Sequence, residues 1–357
     1  MTIGMDSGVE RSSGKENPLQ TRLARRLLDE LQYRADLVLF AGAAPSRWTD
    51  ALLTETRFHV AATMNAMEMA IKLEIFDRDA EMRLNGLGQP YCSVALEGQV
   101  DLLSPALLSH YRLRGALSVI LRERRDAAND GADDLIGWAG DGPFARSLAA
   151  LILAEQRWCG PRLLDAPLRP DLPAEHFSEL AWTSAALMIR GAALTTDEAD
   201  RAVVRAVVHA VERVMARHDE GTGPFALAQR CARALSVDER MRLAPAALIE
   251  RRLLLFCALV EAGPTLPIDA VIGALVDGGD EARQAILKLM RIDEAFAVHV
   301  YEMLAPLMGR GGDGDDGLAL FVEGYRAFAP AKADAWLARK LVPQALAAKL
   351  SVIEAAA

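Results

Sequence analysis

The sequence predicts an all-α protein: irregular stacked helix pairs, as in a HEAT or armadillo array, preceded by a long antiparallel helical hairpin. Apolar residues recur every three or four positions through most of the chain, which is the spacing of one helix face. Aromatic residues make up only 6% of the 357 residues, and alanine, leucine and arginine are abundant. Proline and glycine fall where these periodic segments would begin and end. No strict repeat period is visible, so the array is expected to be irregular.

The hairpin is predicted near the N-terminus. Leucines at helical spacing predict a first helix over residues 19–43, which Pro45 interrupts. A second and longer helix is predicted over residues 47–83, and the short turn between the two makes them antiparallel. Residues 86–101, which contain several glycines and a proline, are then expected to form a connector.

The next helices have explicit start signals. Ser104 followed by Pro105 is one, because the serine hydroxyl can accept a free amide and proline already has a helical φ angle. Residues 143–158 form the following predicted helix. Thr195 and Glu198 spell a capping box before an apolar series at helical spacing, and two glycines are expected to end that helix. These glycines are Gly221 and Gly223.

Prolines at predicted helix starts and glycines at predicted ends mark the last third of the chain. The starts are Pro245, Pro267, Pro330 and Pro343, and the ends are Gly263 and Gly278. The helix predicted over residues 245–262 is apolar on most sides, so we expect it to be buried between neighbours. A narrower apolar face predicts a helix over residues 280–291.

The chain is long enough for about two domains. An Asp- and Gly-rich segment, residues 126–142, is taken as the boundary. It separates an N-terminal helical hairpin and helix, residues 19–127, from a HEAT-like helical array, residues 143–357. Residues 1–18 are polar and are expected to be a disordered tail.

Charge and hydropathy disfavour two classes of partner. The net charge of −9 argues against nucleic acid, whose binding rests on neutralising phosphates with Lys and Arg. The longest apolar run, residues 253–260, is far shorter than the roughly 20 residues of a membrane span. No signal peptide is evident, and a cytoplasmic location is expected.

His110 is the residue that most suggests a reaction. It lies in the segment SHYRLR on a predicted helix, and this segment faintly resembles the histidine box of sensor kinases. A phosphotransfer histidine must be exposed so that a ring nitrogen can attack a phosphoryl group. The match is out of register and no ATP-binding glycine motif follows, so a structural or solvated histidine is the favoured interpretation.

Metal ligation is not expected at the candidate clusters. His176 with Glu175 and Glu179 would need further ligands from elsewhere. Asp313, Asp315 and Asp316 among glycines suggest a calcium loop, but the glycine and glutamate of an EF-hand are absent, so a hydrated connector is expected. His59, His209 and His299 are interpreted as solvated or singly hydrogen-bonded, and His218 as a helix cap.

Cysteines and large apolar side chains also favour structural roles. Cys92, Cys159, Cys231 and Cys257 form no CxxC pair and are expected to be buried, reduced thiols. Trp158, Trp182, Met64, Met67 and Met69 could line a ligand groove, but packing between helices is the favoured interpretation.

Four segments resemble a bacterial family of helical proteins, the domain of unknown function 2336. These segments are LAALILAEQRW at 148–158, DLPAEHFSELAW at 171–182, ARHDE at 216–220 and RLLLFCALV at 252–260. The similarity covers most of the chain from Leu102 onward. The resemblance implies a helical fold and a bacterial origin, and it assigns no activity and no site residue.

The function these observations favour is a non-enzymatic helical scaffold for protein–protein interaction, with no cofactor, no metal and no catalytic residue. Its partner is expected to be another protein, because stacked helices form extended binding surfaces. The alternative is a histidine phosphotransfer or kinase-regulating signalling module that uses His110. A HEAT-like enzyme acting on nucleic acid is a third hypothesis, which the acidic charge disfavours.

Overall fold

The structure, a computed structural model, describes most of the chain. The described ranges are 48–88, 90–97, 99–127, 140–159, 168–192, 198–260, 266–308 and 314–341, together with Leu135, Gly137 and Ile353. Within them lie fifteen α-helices, three short 3₁₀ helices and no strand, which confirms the all-α prediction. HEAT-like stacking and the N-terminal hairpin stay predictions.

Several sequence predictions fall outside the described residues. They are the tail 1–18, the first hairpin helix 19–43, and the residues Thr195, Gly263, Asp313 and Pro343.

The helices follow one another closely. The first eight are Asp50–Leu73 (α1), Arg78–Asn85 (α2), Cys92–Glu97 (α3), Pro105–Ala127 (α4), Pro143–Trp158 (α5), Ala174–Gly191 (α6), Glu198–Ala216 (α7) and Pro224–Arg233 (α8). The others are Val237–Ile249 (α9), Leu253–Val260 (α10), Ile268–Val276 (α11), Asp280–Leu289 (α12), Glu294–Leu304 (α13), Gly314–Ala327 (α14) and Pro330–Lys340 (α15). The 3₁₀ helices are Val100–Leu102, Glu220–Thr222 and Ala305–Leu307.

The prediction of a single helix over residues 47–83 is wrong, because the chain forms two helices there, α1 and α2. α1 ends at Leu73, and Asp77 caps α2 by accepting the backbone N–H of Ala80 at 2.9 Å. The connector predicted at 86–101 also contains structure, namely α3 and a 3₁₀ turn. Asp77 is a helix-capping residue inside a longer stretch of apolar residues at helical spacing. The apolar spacing alone did not predict that one helix ends and another begins there.

The predicted starts of α4 and α5 are confirmed, whereas the predicted end of α7 is wrong. α4 begins at Pro105, and the Ser104 hydroxyl accepts the N–H of Leu107 at 3.1 Å. α5 has the predicted bounds. α7 already ends at Ala216, so Gly221 and Gly223 do not terminate it. Gly221 lies inside the 3₁₀ turn that precedes α8, and Gly223 follows that turn.

The helix predicted over residues 245–262 is also two helices. Pro245 lies inside α9, which begins earlier at a capping box formed by Ser236 and Glu239. The chain then turns at Arg251, whose φ is 52°. All eight residues of α10 are buried, which confirms the burial expected for this apolar segment. Pro330 begins α15 as predicted.

One hydrophobic core draws on helices from both sides of residues 126–142. Its buried residues come from α1, α4, α5 and every helix from α8 to α15. Leu135, inside that segment, is fully buried, and its N–H donates to the Glu250 carboxylate at 3.1 Å. The division into domains stays a prediction. None of the described helices has the length and hydropathy needed to cross a membrane.

Candidate functional site

An arginine-lined groove runs between α5 and α8. It encloses about 500 Å³ and opens to solvent. Its lining residues are Pro143, Arg146, Ser147, Ala150, Arg230, Arg233 and Ala234. The groove is open to solvent over much of its extent, so it suits a ligand that lies along the surface.

Helical spacing explains why the arginines face the groove. The buried face of α8 is formed by small and apolar residues, among them Ala228, Cys231 and Ala232. Arg230 and Arg233 lie in the last turn of this helix, where the carbonyl ends favour cations. On α5, Arg146 and Ala150 are four residues apart and therefore share a face.

The three guanidinium groups differ in how far they are engaged. Arg230 donates from Nη2 to the carbonyl of Gly221 at 3.0 Å. Within the described part of the chain, the guanidinium groups of Arg146 and Arg233 have no hydrogen-bond or ion-pair partner. Both side chains belong to exposed residues, so their positive charge is available to a ligand in the groove.

The N-terminal end of α5 adds to this positive field. Gly142 precedes Pro143 and offers no side chain to cap the helix. The first amides of a helix point outward without intrahelical partners, and the helix dipole is positive there. The groove can therefore hold carboxylate or phosphate groups, because guanidinium groups and helix N-termini both bind such anions.

His110 lies elsewhere, in the interior of the molecule. Its residue is 5% exposed, and its ring centroid is 5.2 Å from that of His176 and 5.4 Å from that of Phe225. Burial, followed by electrostatic interactions with Arg114 and His176, lowers the pKa of His110 well below its usual value. A neutral, covered imidazole does not offer the exposed nitrogen that phosphotransfer requires.

Arg114 is one helical turn from His110 and is fully buried. Its guanidinium carbon lies 4.7 Å from the ring centroid of Trp158 and 5.8 Å from that of Tyr111. Desolvation lowers the pKa of this guanidinium, while Tyr111 and Asp171 oppose the shift. Nothing in the sequence separates Arg114 from other helical arginines, so sequence reasoning missed it.

The carboxylates near His176 are engaged in other contacts. Glu179 accepts two hydrogen bonds from Ser104, and Glu175 lies 3.9 Å from the His176 ring nitrogen. The described residues contain no group of three or more potential ligands that could hold a metal. Asp316 lies in α14, which begins at Gly314, so the connector expected around it is shorter than predicted.

Most of the remaining histidines have the predicted kind of partner. His59 contacts the Ser118 hydroxyl at 2.8 Å, His209 contacts Glu212 at 3.0 Å, and His299 contacts the Ala295 carbonyl at 2.9 Å. His218 is not simply a helix cap. Its ring stacks on Phe177 at 3.7 Å and contacts the carbonyl of Leu172 at 2.9 Å.

All four cysteines are buried and free, as predicted. Burial raises the pKa of the Cys159 thiol to about 11 and that of Cys231 to about 12. Of the large side chains considered for a groove, Trp158, Met64 and Met67 are buried, which confirms packing. Met69 and Trp182 are 40% and 41% exposed, so the packing interpretation is incomplete for them.

Comparison with protein-family models, curated proteins and solved structures found no match for this chain. Membership of the family named above therefore stays a prediction. The sequence interpretation did not select the arginines of the groove between α5 and α8. The sequence held only a weak signal for this groove. It consists of a helix that starts at Gly-Pro without a capping side chain, and of two arginines that lie three residues apart at a helix end.

Proposed function

We propose that this protein is a non-enzymatic helical scaffold that binds a short acidic segment of a partner protein in the groove between α5 and α8. The observation that carries the proposal is the convergence of Arg146, Arg230 and Arg233 on one groove of about 500 Å³. Arginine forms paired hydrogen bonds with carboxylates, which suits a segment containing Asp or Glu.

The charge of the whole chain supports a specific rather than a general anion surface. The protein carries a net charge of −9, so the chain as a whole exerts a net repulsion on an acidic segment. A local group of three arginines then directs that segment to one place, because complementary charge steers association and suppresses wrong partners.

An exposed apolar side chain beside the groove, that of Leu153, extends the same surface. Leu153 is three residues beyond Ala150 and seven beyond Arg146, so it continues this face of α5. Its side chain is 59% exposed. A partner segment with one apolar residue next to its carboxylates would cover Leu153 and gain affinity from its burial.

A short peptide suits the groove better than a nucleic acid does. Nonspecific binding of DNA depends on many phosphate contacts along an extended basic surface. Among the residues that the structure describes, three arginines line this groove, and the chain as a whole is acidic. The four buried thiols fit a reducing compartment, which supports the proposal that the scaffold acts in the cytoplasm.

The test measures binding of a fluorescein-labelled peptide containing several glutamates and one leucine by fluorescence anisotropy. The groove variant is Arg146→Glu with Arg233→Glu. The matched control is Arg78→Glu with Arg339→Glu, which changes the net charge equally at exposed arginines outside the groove. Thermal melting checks that all proteins fold.

The groove variant is expected to bind at least about 10-fold more weakly, because each charged hydrogen bond lost is worth roughly 1.5–3 kcal/mol. The control is expected to stay within about 3-fold, since exposed charges act through a screened field. Equal affinity of both variants, or tighter binding of an oligothymidylate than of the peptide, would overturn the proposal.

A further inference from the structure

Three side chains that donate hydrogen bonds meet in the interior, beneath α6 and α8. His110 and Arg114 are four residues apart on α4 and therefore share one helix face. Trp158, the last residue of α5, lies across from them, with its ring centroid 4.7 Å from the Arg114 guanidinium carbon. All three residues are buried.

Their donors lack acceptors. In the part of the chain that the structure describes, no hydrogen-bond partner reaches Nε, Nη1 or Nη2 of Arg114, Nε2 of His110, or Nε1 of Trp158. Burying a charged group without hydrogen bonds is strongly unfavourable, and buried polar groups in native proteins are almost always satisfied. An acceptor from outside the chain would remove this cost.

A buried carboxylate, that of Asp171, acts electrostatically on Arg114. It is paired with two other arginines, although no hydrogen bond from the described residues reaches its Oδ1. Its Oδ2 is 3.4 Å from Arg157 and its Oδ1 is 3.2 Å from Arg169. The rings of Trp158 and Tyr111 attract the guanidinium of Arg114 through their faces. A ring face does not, however, accept hydrogen bonds from the N–H groups that lie in the guanidinium plane.

We propose that His110, Arg114 and Trp158 bind a small organic monocarboxylate. A guanidinium fork matches the two oxygens of a carboxylate, and the imidazole and indole N–H groups can complete its coordination. The site supplies one fixed positive charge, so a ligand with one negative charge leaves no net charge buried. The surrounding rings of Tyr111 and Phe225 suit a ligand with an apolar body.

Two partly exposed rings border the site. His176 and Phe225 are both half-buried, and both contact the His110 ring. A ligand would reach the donors between these two side chains. The inference is independent of the groove, because none of these residues lines it.

The experiment compares the protein at constant ionic strength in formate, acetate, benzoate, chloride and inorganic phosphate, by thermal shift and isothermal titration calorimetry. The variants are Arg114→Met, which keeps the apolar stem, and Trp158→Phe, which removes only the indole N–H. Arg112→Met is the matched control, because Arg112 is a buried arginine of the same helix that is paired with Asp277 at 3.0 Å.

We expect a carboxylate to raise the melting temperature of the wild-type protein with increasing concentration. Its affinity should fall at least about 30-fold in Arg114→Met and about 5-fold in Trp158→Phe, and remain within about 2-fold in Arg112→Met. Without carboxylate, Arg114→Met should be as stable as the wild type or more so, because it removes an unpaired buried charge.

Three results would overturn the assignment. One is that carboxylate raises the melting temperature equally in the wild type, in Trp158→Phe and in Arg114→Met. Another is tighter binding of phosphate than of every carboxylate, since a dianion contradicts the single-charge argument. The third is no binding of any anion by the wild-type protein.

Discussion

Glu179 of α6 secures the start of α4 through Ser104. Its two carboxylate oxygens accept the Ser104 backbone N–H at 2.6 Å and the Ser104 hydroxyl at 2.7 Å, while that hydroxyl accepts the N–H of Leu107 at 3.1 Å. A negative charge at a helix N-terminus is also favoured by the helix dipole. The contact joins the helix that carries His110 and Arg114 to the helix that carries His176.

Removal of this carboxylate should destabilise the protein. We predict that Glu179→Ala lowers the free energy of unfolding by about 1–3 kcal/mol, because two partly buried donors lose a charged acceptor. Urea denaturation measures the change. Glu175→Ala is the control: its side chain is 81% exposed, and its loss should cost within about 0.5 kcal/mol. Equal losses for the two variants would contradict the capping role.

Two glycines in helices should respond oppositely to the same substitution. A Cβ at Gly115 would lie 2.7 Å from the Thr56 hydroxyl and 3.1 Å from the Thr56 amide nitrogen, because α1 and α4 approach closely there. We predict that Gly115→Ala costs about 1–3 kcal/mol through overpacking.

At Gly273 of α11 the nearest atom to an added Cβ is 4.0 Å away. Gly273→Ala should therefore stabilise the protein by about 0.5–1 kcal/mol, as alanine usually does in an open helical position. Chemical denaturation of the pair provides the measurement. Destabilisation by both substitutions to the same degree would show that helix approach is not the determining factor at Gly115.

Arg252 joins two buried carboxylates in the core. It is 4% exposed, pairs with Glu155, and donates from Nε to Glu250 at 3.0 Å. Arg252→Met should lower the free energy of unfolding by about 3–5 kcal/mol, since both acids would remain buried without this cation.

The comparison for Arg252 is Arg339→Met, which removes an exposed pair with Glu281 at 3.3 Å. An exposed pair of this kind is worth about 0–1 kcal/mol. Differential scanning calorimetry should show a much larger fall in melting temperature for Arg252→Met. Similar falls in both variants would argue that the buried pair is not important for stability.

Burial of His110 predicts how stability depends on pH. Its folded-state pKa lies well below the ordinary value of 6.5, so below that pH the unfolded state binds a proton that the folded state does not. Stability should therefore fall as the pH drops below 6.5, by up to about 1.4 kcal/mol per pH unit from this group.

His110→Leu should make the decline in unfolding free energy between pH 6.5 and 5 shallower, as measured by urea titrations in a buffer without carboxylates. Other acidic groups contribute in both proteins, so the informative quantity is the difference between the two slopes. An unchanged slope would mean that the imidazole takes up its proton at the same pH in the folded and unfolded states.

Local signals in the sequence predicted much of the fold but not its breaks. Helix starts with a cap or an N-terminal proline, at Ser104, Pro143 and Pro330, were found because their chemistry is local. The break before Asp77 lies inside a continuous apolar pattern. The prediction that a helix begins at Pro245 is wrong because a capping box earlier in the sequence, at Ser236, already begins the helix.

Neither site could be predicted from the sequence, because each depends on contacts between helices. Arg112 and Arg114 differ by two positions on one helix, yet one pairs with Asp277 and the other faces aromatic rings. Arg146 and Arg233 are far apart in the chain and meet only because α5 packs against α8. Periodicity identifies the buried face of a helix, but it does not identify the neighbour.

If a partner binds in the groove between α5 and α8, binding should protect the helix ends that form it. Hydrogen–deuterium exchange of the protein, with and without a saturating acidic peptide, measures this protection. We predict added protection in two places, the first turns of α5 from Pro143 and the end of α8 around Arg230 and Arg233. Protection elsewhere, with none at these two helix ends, would mean that the peptide binds outside the groove.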